Sequence, residues 1–270
     1  MSVKRKMSNG WIFKDDNMYN NYNVYEDSNA FKVNKQSLKN SIIHYPIGNH
    51  NTPVIVIDDF LENPSVASNL AQQTIYSNDE SKMHASPGLR SILKVNWCIN
   101  KVVQNFFQNW YRDTLEVEYP FPAPSTTFTV IDTAEPLSPV QCFPHIDVDY
   151  NNGQGLGKEN TQLVAVLIYL NKDCKGGTGI YKHKKLDKHL ITNVDDYNEY
   201  YKIQEEYEKS NPKISSNIND NENELYELVE TVDMKYNRMV MYPTCLFHHP
   251  IYSKDDFNTP NCRMVLGSFV

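Results

Sequence analysis

The stretch CFPHIDVD, from Cys142 to Asp149, carries residue types at a spacing that suits metal binding. His145, Asp147 and Asp149 occupy alternate positions in it. Side chains two residues apart on a strand point to the same face, so His145 and Asp147 would project together. An imidazole and a carboxylate placed in this way can fill two adjacent coordination positions of one metal ion. A His-x-Asp pair without further ligands is a weak signal, and alone it favours a structural histidine.

A pair of distal histidines could supply the third ligand. The segment YPTCLFHHP contains His248 and His249 at the start of another β-like run. Two histidines and one carboxylate on one face of an octahedron leave the other three positions open, which is the facial triad of non-haem iron(II) oxygenases. The residues alone leave open which of the two neighbouring histidines would be the ligand.

Arg263 follows the distal histidines on the last β-like run, NCRMVLGSF. Its neighbours Met264, Val265 and Leu266 are apolar, which favours a buried arginine over a surface charge. A buried arginine beside an iron triad can hold a dicarboxylate through two parallel, charge-assisted hydrogen bonds. The sequence therefore places a candidate anion partner near the candidate metal ligands.

The elements that must position these residues are short β-rich runs separated by Gly, Pro, Asn and Asp. Such a series predicts a sandwich or barrel of two packed sheets rather than a parallel α/β sheet. The runs begin near residue 125, and they read TTFTVI, PVQCFPHIDVD, QLVAVLIYL, GIYKHK, NRMVMYP, CLFHHPIY and CRMVLGSF.

The chain before the barrel divides into an arm and a supporting region. Residues 1–50 are rich in Asn, Tyr, Lys and Asp without a sustained period, which predicts an irregular N-terminal arm. A buried strand is expected at Val54–Ile57, and Asn63-Pro64 is a typical helix start. Hydrophobic residues at roughly helical spacing predict a longer helix over residues 89–112.

One charged, Asn-rich segment, residues 187–232, interrupts the barrel. A helix is expected in it, with Tyr197, Tyr200, Ile203 and Tyr207 on one side. The segment is either a solvated decoration or a lid over the mouth of the barrel, and its composition does not choose between the two.

These segments together resemble the iron(II)/2-oxoglutarate-dependent dioxygenase superfamily, and within it the prolyl 4-hydroxylase-like branch. VLIYLNKDCKGGTGIY resembles the branch's tyrosine-bearing strand with its Leu-Asn and Gly-Gly turn, and NRMVMYPTCLFHHPI resembles the segment that leads to its distal histidine. PHIDVD, YLN, GGTGIYKHK and NRMVMYP together are similar to a small subfamily of unestablished substrate. The resemblance covers about residues 125–270, less 187–232.

The resemblance implies that His145, Asp147 and His248 bind iron(II). His248 is preferred to His249 because it has the family's spacing from the Tyr-Pro pair at Tyr242.

The resemblance also implies that Arg263 pairs with the C5 carboxylate of 2-oxoglutarate and that Tyr169 is a second contact to that carboxylate. The sequence departs from the family's pattern in two ways. Val265 stands where many relatives have Ser or Thr, and the stretch between His248 and Arg263 is longer than usual, with SKDDFNTPN in it.

A substrate side is predicted after the Gly-Gly turn. Alternation in TGIYKHK places Gly179, Tyr181 and His183 on one face of a strand. If this face looks into the barrel, glycine leaves space beside the iron, and the two aromatic residues line the route to it. Ordinary barrel packing for Tyr181 and a surface position for His183 is the competing interpretation.

The implied fold is mainly β with flanking helices, a double-stranded β-helix of the jelly-roll or cupin-like kind. Residues 51–270 are expected to form a single dioxygenase domain, with a supporting strand and helices over 51–115, a barrel over 125–270 and the 187–232 insertion. The implied activity is hydroxylation of a C–H bond in an amino acid, peptide or other small molecule. Its cofactors would be Fe(II), 2-oxoglutarate and O₂, with ascorbate as a candidate reductant, and succinate and CO₂ would be released.

Two other functions remain open at this stage. A non-oxygenase cupin would use the same barrel and metal for isomerase or lyase chemistry, without need of Arg263 and Tyr169. A non-catalytic, metal-binding module would keep the ligands without turnover.

The net charge, the apolar runs and the cysteines limit which binding partners and which cellular location are expected. A net charge of -7 and a pI of about 5.6 give no general affinity for a phosphate backbone, so no nucleic-acid partner is expected. The longest apolar run, Leu163–Leu170, is too short to span a bilayer, and no membrane association is expected. The odd number of cysteines, 5, without a C-x-x-C pair favours reduced thiols and a cytoplasmic location.

Overall fold

A computed structural model of the chain describes residues 30–39, 42–48, 52–74, 76–77, 87–91, 125–133, 137–150, 163–210, 224–253, 255–258 and 261–269. Its first elements, in chain order, are α1 (Lys35–Lys39), β1 (Ile42–Ile47), β2 (Thr52–Ile57), α2 (Pro64–Gln73), β3 (Tyr76–Ser77) and β4 (Leu89–Ser91).

The second group of elements forms most of two facing sheets. It comprises β5 (Ser125–Ile131), a 3-10 helix (Pro139–Cys142), β6 (Val164–Tyr169), β7 (Gly177–His183), α3 (Val194–Ser210), β8 (Tyr226–Asp233), β9 (Met239–Pro243), β10 (His248–Ile251) and β11 (Arg263–Phe269).

Within the described residues, the strands are distributed between an eight-stranded sheet and a three-stranded sheet. The larger sheet has the order β1-β2-β9-β6-β11-β5-β4-β3, and the smaller has the order β10-β7-β8. All the pairings between neighbouring strands are antiparallel. From β5 onward the chain crosses repeatedly between the two sheets, which is the winding of a jelly roll. The fold is therefore the expected double-stranded β-helix.

The central strands of the larger sheet are buried on both faces. β6 and β9 are almost entirely buried, and so is β11 apart from its last residue. The outer face packs against α2, where the Ser68 hydroxyl lies within hydrogen-bonding distance of the carbonyl oxygens of Pro64 and Leu170. The inner face is left to line the space between the sheets, which is where the candidate site lies.

The turn before β7 depends on a glycine. Gly176 has a φ of +67°, a conformation that side chains rarely adopt, and a Cβ there would collide with the carbonyl oxygen of Ile251. This close approach sets β7 directly beside β10, the strand that carries the distal histidines.

Several predicted elements differ in the structure. The proposed helix over 89–112 is wrong at its start, because Leu89–Ser91 is strand β4 and pairs with β5; residues 92–112 lie outside the described residues. α1 and β1 lie within the supposedly irregular arm, since β1 gains a partner in β2. Residues 226–232, assigned to the insertion, belong to β8, which pairs with β7.

The predicted helix of the insertion is confirmed as α3, with Tyr197 and Tyr200 buried on one side. No helix in the described part of the chain is long and apolar enough to cross a membrane.

Candidate metal centre

The two segments that carry the candidate ligands meet through their backbones. His145 and His248 face each other in an antiparallel bridge, and each backbone N–H donates to the other's carbonyl at 3.0 Å. The N–H of Asp147 donates to the carbonyl of Thr244 at 2.8 Å. Only this short bridge remains of the strand predicted over CFPHIDVD, since a 3-10 helix and bends form the rest.

The three side chains converge. The metal-binding atoms of His145, Asp147 and His248 all lie within 4.8 Å of one another. Oδ1 of Asp147 is 3.7 Å from Nε2 of His145, and Oδ2 is 3.2 Å from Nε2 of His248. His145 and His248 are buried, with 3% and 5% of their surface exposed. The arrangement is a compact, shielded group of two imidazoles and one carboxylate.

Hydrogen bonds to the backbone orient both rings. Nδ1 of His248 lies 2.9 Å from the carbonyl oxygen of Leu246, and Nδ1 of His145 lies 3.4 Å from that of Phe143. With Nδ1–H donating to these carbonyls, each Nε2 keeps its lone pair for a metal ion. Among the described residues, Nε2 of His145 and Oδ2 of Asp147 are buried without a hydrogen-bond partner, so the donor set fits a bound divalent metal.

For two of the three candidate ligands, His145 and Asp147, the electrostatics favour the protonation states that metal binding needs. Burial lowers the pKa of His145 to about 3, and the nearby His248 adds to this effect. Burial also opposes the charged form of His248, but the adjacent Asp147 carboxylate outweighs it, so the pKa of His248 is raised. Burial likewise opposes ionisation of Asp147, yet contact with His248 lowers its pKa overall. A neutral His145 and an ionised Asp147 are ready to bind a cation without losing a proton.

His249 does not join this group. Its Nε2 lies 3.0 Å from the carbonyl oxygen of Gln141, and burial lowers its pKa to about 4. Adjacent residues of a strand point to opposite faces, so His248 and His249 cannot both face Asp147. The structure brings His248 to the other two candidate ligands.

Arg263 lies in the space between the sheets, next to the triad. Its side chain is 4% exposed and lines a cavity that Asp147 and His248 also line. The guanidinium donates from Nη2 to the carbonyl of Gly177 at 3.3 Å, and Nε has no hydrogen-bond partner among the described residues. No carboxylate of the described residues pairs with it, which leaves this buried charge available to an anion.

Tyr169 supports Arg263. The guanidinium carbon lies 5.4 Å from the centre of the Tyr169 ring, within the range of a cation–π contact. The Tyr169 hydroxyl is 2.6 Å from that of Thr178, and Thr178 lines the cavity. Thr129, which pairs with Val265 across β5 and β11, also lines it. A threonine on the neighbouring strand thus lies beside Val265 at the cavity.

Arg90 is a cavity residue that the sequence did not reveal. It pairs with Thr129 across β4 and β5 and lines the same cavity as Arg263. Its charge also contributes to lowering the pKa of Asp147. Hydrophobic spacing placed Arg90 in a helix, and the alternation within three residues of strand is too short a signal to correct that.

A second cavity borders the triad on the side of α3. His145 and Asp147 line it together with Asp149, and α3 contributes tyrosines and acidic residues. α3 lies against residues 143–149, which carry the candidate ligands His145 and Asp147: the rings of Tyr207 and Phe143 are 5.9 Å apart, and the Tyr197 hydroxyl donates to Oδ1 of Asp149 at 3.0 Å.

The residues predicted on the substrate side lie elsewhere. Tyr181 and His183 are fully buried in an aromatic cluster, and neither is among the described residues that line the two cavities beside the triad. The ring of His183 packs 5.1 Å from Tyr226. Gly179 does not open a space beside the metal site, because a Cβ there would meet the Tyr181 hydroxyl at 2.7 Å and the Ile251 side chain at 2.8 Å.

Comparison with known proteins identifies a family of unknown function and distant matches among solved structures. Residues 39–264 match the model of a family of unknown function (DUF6445). No protein with a curated description matches the sequence. Solved structures that match include HygX from Streptomyces hygroscopicus with nickel, 2-oxoglutarate and hygromycin B bound; it is 11% identical, with a TM-score of 0.39, and the alignment covers 80% of this chain and 82% of that one. At this level of similarity, the chemistry has to be inferred from the site's own residues.

Proposed function

The chain belongs to the DUF6445 family, whose function is unknown, and we propose that it is an iron(II)- and 2-oxoglutarate-dependent oxygenase. In the proposed reaction, a substrate C–H bond, O₂ and 2-oxoglutarate give a C–OH group, succinate and CO₂. One oxygen atom enters the product and the other enters succinate, so atoms and electrons balance.

The observation that carries this proposal is the buried group of His145, Asp147 and His248 beside the buried charge of Arg263. Two imidazoles and one carboxylate occupy three positions of a metal and leave the rest for a cosubstrate and O₂. Arg263, which pairs with no carboxylate of the described residues, lines the adjoining cavity and suits a ligand with a second, distal carboxylate, as 2-oxoglutarate has. A metal-binding module without turnover would have no use for such a charge.

In this proposal each part of the site has a physical task. Bound iron would supply the activation of O₂. His145 and His248 present Nε2 because their Nδ1 atoms are held by backbone carbonyls. Arg263, supported by the Tyr169 ring, would fix the far end of 2-oxoglutarate, and the apolar side chains of Leu167 and Val265 would limit water in the cavity.

The test is succinate formation from 2-oxoglutarate by the purified, iron-loaded protein in air, with ascorbate as reductant. We expect turnover that requires O₂ and is lost in His248→Ala, because that variant removes a ligand. His249→Ala is the matched control: it truncates a neighbouring buried histidine that does not face Asp147, and it should keep iron-dependent turnover.

The protein could instead bind iron but form no succinate in an O₂-dependent way, even with a broad panel of amino acids and peptides. This result would contradict the proposed oxygenase function and favour a non-catalytic, metal-binding module. Loss of activity in His249→Ala with retention in His248→Ala would show that the ligand set is wrong.

A further inference from the structure

The cavity between residues 143–149 and α3, called the cavity under α3, has the size of a small-molecule site. Its volume is about 420 Å³, within the range of ~300–1,000 Å³ that ligand pockets in proteins occupy. One wall is the run from Phe143 to Asp149, which includes two of the candidate metal ligands, and the other wall is the face of α3 from Tyr197 to Glu208.

The lining of this cavity is aromatic and acidic. The described residues that line it include the carboxylates of Asp149, Glu205 and Glu208 and the three tyrosines Tyr197, Tyr200 and Tyr201, and they include no lysine or arginine. Lys209 contacts Glu205 at 3.0 Å, but both side chains are more than 60% exposed and this pair is screened by water. Glu208 accepts a hydrogen bond from Gln204 at 2.9 Å, which leaves its negative charge in place.

The cavity reaches the reactive part of the site. His145, which is 3% exposed and whose Nε2 has no hydrogen-bond partner among the described residues, lines it, and so does Asp147. Asp149 lies two residues beyond Asp147 on the same segment, and its carboxylate is held by the Tyr197 hydroxyl at 3.0 Å. A ligand in this cavity would therefore lie against the metal ligands and the acidic wall at the same time.

The two cavities that meet at Asp147 have opposite character. The one between the sheets contains Arg90 and Arg263, which suit an anion, whereas the one under α3 contains carboxylates and tyrosine rings. Carboxylates attract a cation by charge, and tyrosine faces attract it through the ring quadrupole. The opposite charges would also keep 2-oxoglutarate out of the cavity under α3.

We propose that the cavity under α3 binds the substrate, and that this substrate carries a protonated amine or guanidinium group. Asp149 and Glu208 would pair with the cationic group, and the tyrosines would pack along it, which would leave a neighbouring C–H bond of the substrate towards the metal ligands. This assignment rests on the proposed oxygenase function, which it deepens by naming the class of substrate.

The experiment measures binding rather than turnover. Calorimetric titrations under anaerobic conditions use the iron-loaded protein saturated with 2-oxoglutarate, and the probes are three five-carbon compounds: 1,5-diaminopentane, 1,5-pentanediol and glutarate. We expect the diamine to bind at least about tenfold more tightly than the diol or glutarate, with an affinity that falls as salt is added.

Variants locate the site. Asp149→Asn and Glu208→Gln keep a hydrogen-bond acceptor but remove a charge, and each should weaken diamine binding about tenfold, as expected for loss of one charge-assisted contact. Glu206→Gln is the matched control, because Glu206 is on α3 with the same charge but is exposed and does not line the cavity; it should bind the diamine like the wild type. Circular dichroism checks that each variant is folded.

Equal affinity for diamine and diol, or an equal loss in Glu206→Gln and Asp149→Asn, would overturn the proposal. If the protein binds iron and 2-oxoglutarate but not the diamine, the proposed substrate class is refuted and the proposed oxygenase function is not. Site-specific diamine binding by a protein that cannot bind iron or 2-oxoglutarate would leave a cation site and refute the oxygenase.

Discussion

Arg263 and Arg90 reach the same cavity from two strands of the larger sheet, but their surroundings differ. Arg263 is 4% exposed and rests on the Tyr169 ring, whereas Arg90 is only partly buried, on the short strand β4. A buried charge is held more rigidly and is less screened, so under the proposed function we assign the distal carboxylate of 2-oxoglutarate to Arg263 rather than to Arg90. Arg90 adds positive potential to the cavity and stabilises the ionised form of Asp147.

Replacing Arg263 by alanine should raise the KM for 2-oxoglutarate sharply and leave iron affinity nearly unchanged, because a cosubstrate contact is lost and no metal ligand is. Loss of such a buried, charged contact costs about 2–5 kcal/mol. Steady-state kinetics over a range of 2-oxoglutarate concentrations gives the KM, and anaerobic titration gives the iron affinity. Arg263→Lys keeps the charge without the bidentate geometry, so its KM for 2-oxoglutarate should lie between those of the wild type and Arg263→Ala. An unchanged KM in Arg263→Ala would remove this residue from the site.

At the scale of elements, α3 is part of the core as well as a wall of the cavity. Tyr197 and Tyr200 are buried in the cluster that contains Phe143 and Phe247, while Tyr201 on the same helix is 54% exposed. Deleting residues 195–225 would therefore expose this cluster and destabilise the protein, whatever its effect on substrate. Point changes on the cavity face of α3 separate binding from folding, and for this reason the variants proposed above are of that kind.

An ion pair between two other elements should make the free energy of unfolding depend on pH. Asp58, after β2, pairs with Arg238, before β9, at 2.6 and 3.1 Å and with Lys235 at 2.7 Å. The Arg238 hydrogen bond leads the causes that lower the pKa of Asp58 to about 2 from 3.8, against the opposing effect of burial. A lowered folded-state pKa stabilises the protein above pH ~4, and this stabilisation is lost as the pH falls towards 2.

Urea unfolding at several pH values tests this. Asp58→Asn should lower the free energy of unfolding at pH 6 by about 1–2 kcal/mol, after allowance for screening by solvent, and should lose less further stability on acidification than the wild type. Asp59→Asn is the matched control, since Asp59 is the next residue and lies outside this ion-pair group. Parallel pH curves for wild type and Asp58→Asn would rule out the contribution.

At the scale of the whole molecule, the sequence predicts the barrel better than what surrounds it. Runs such as VAVLIY and MVMYP are apolar throughout, and continuous apolar runs of this length between turn residues are typical of buried strands. The grouping of His145, Asp147 and His248 is anticipated by the His-x-Asp spacing together with the resemblance that selects His248, whereas the strand expected under that spacing is reduced to the bridge at His145.

The predictions about the substrate side failed for a common physical reason: the features they concern are determined by contacts between residues distant in sequence. Alternation correctly puts Tyr181 and His183 on one face of β7, but the side chains that cover this face come from Tyr200, Tyr226 and Phe247. No local pattern reports those partners. Likewise, the acidic side chains of α3 lie opposite Asp149 only because α3 folds back onto residues 143–149.

The measurement that tests the central claim most directly is an anaerobic titration of the iron(II)-loaded protein with 2-oxoglutarate, followed by visible absorption. A keto acid that chelates iron(II) through its keto and carboxylate oxygens gives a charge-transfer band, and the band requires both the metal site and the cosubstrate site. We predict a saturable band in the wild type that disappears in His145→Ala and forms only at higher 2-oxoglutarate concentration in Arg263→Ala. A wild-type protein that binds iron but gives no band, or a band that is unchanged in His145→Ala, would contradict the assignment of this site.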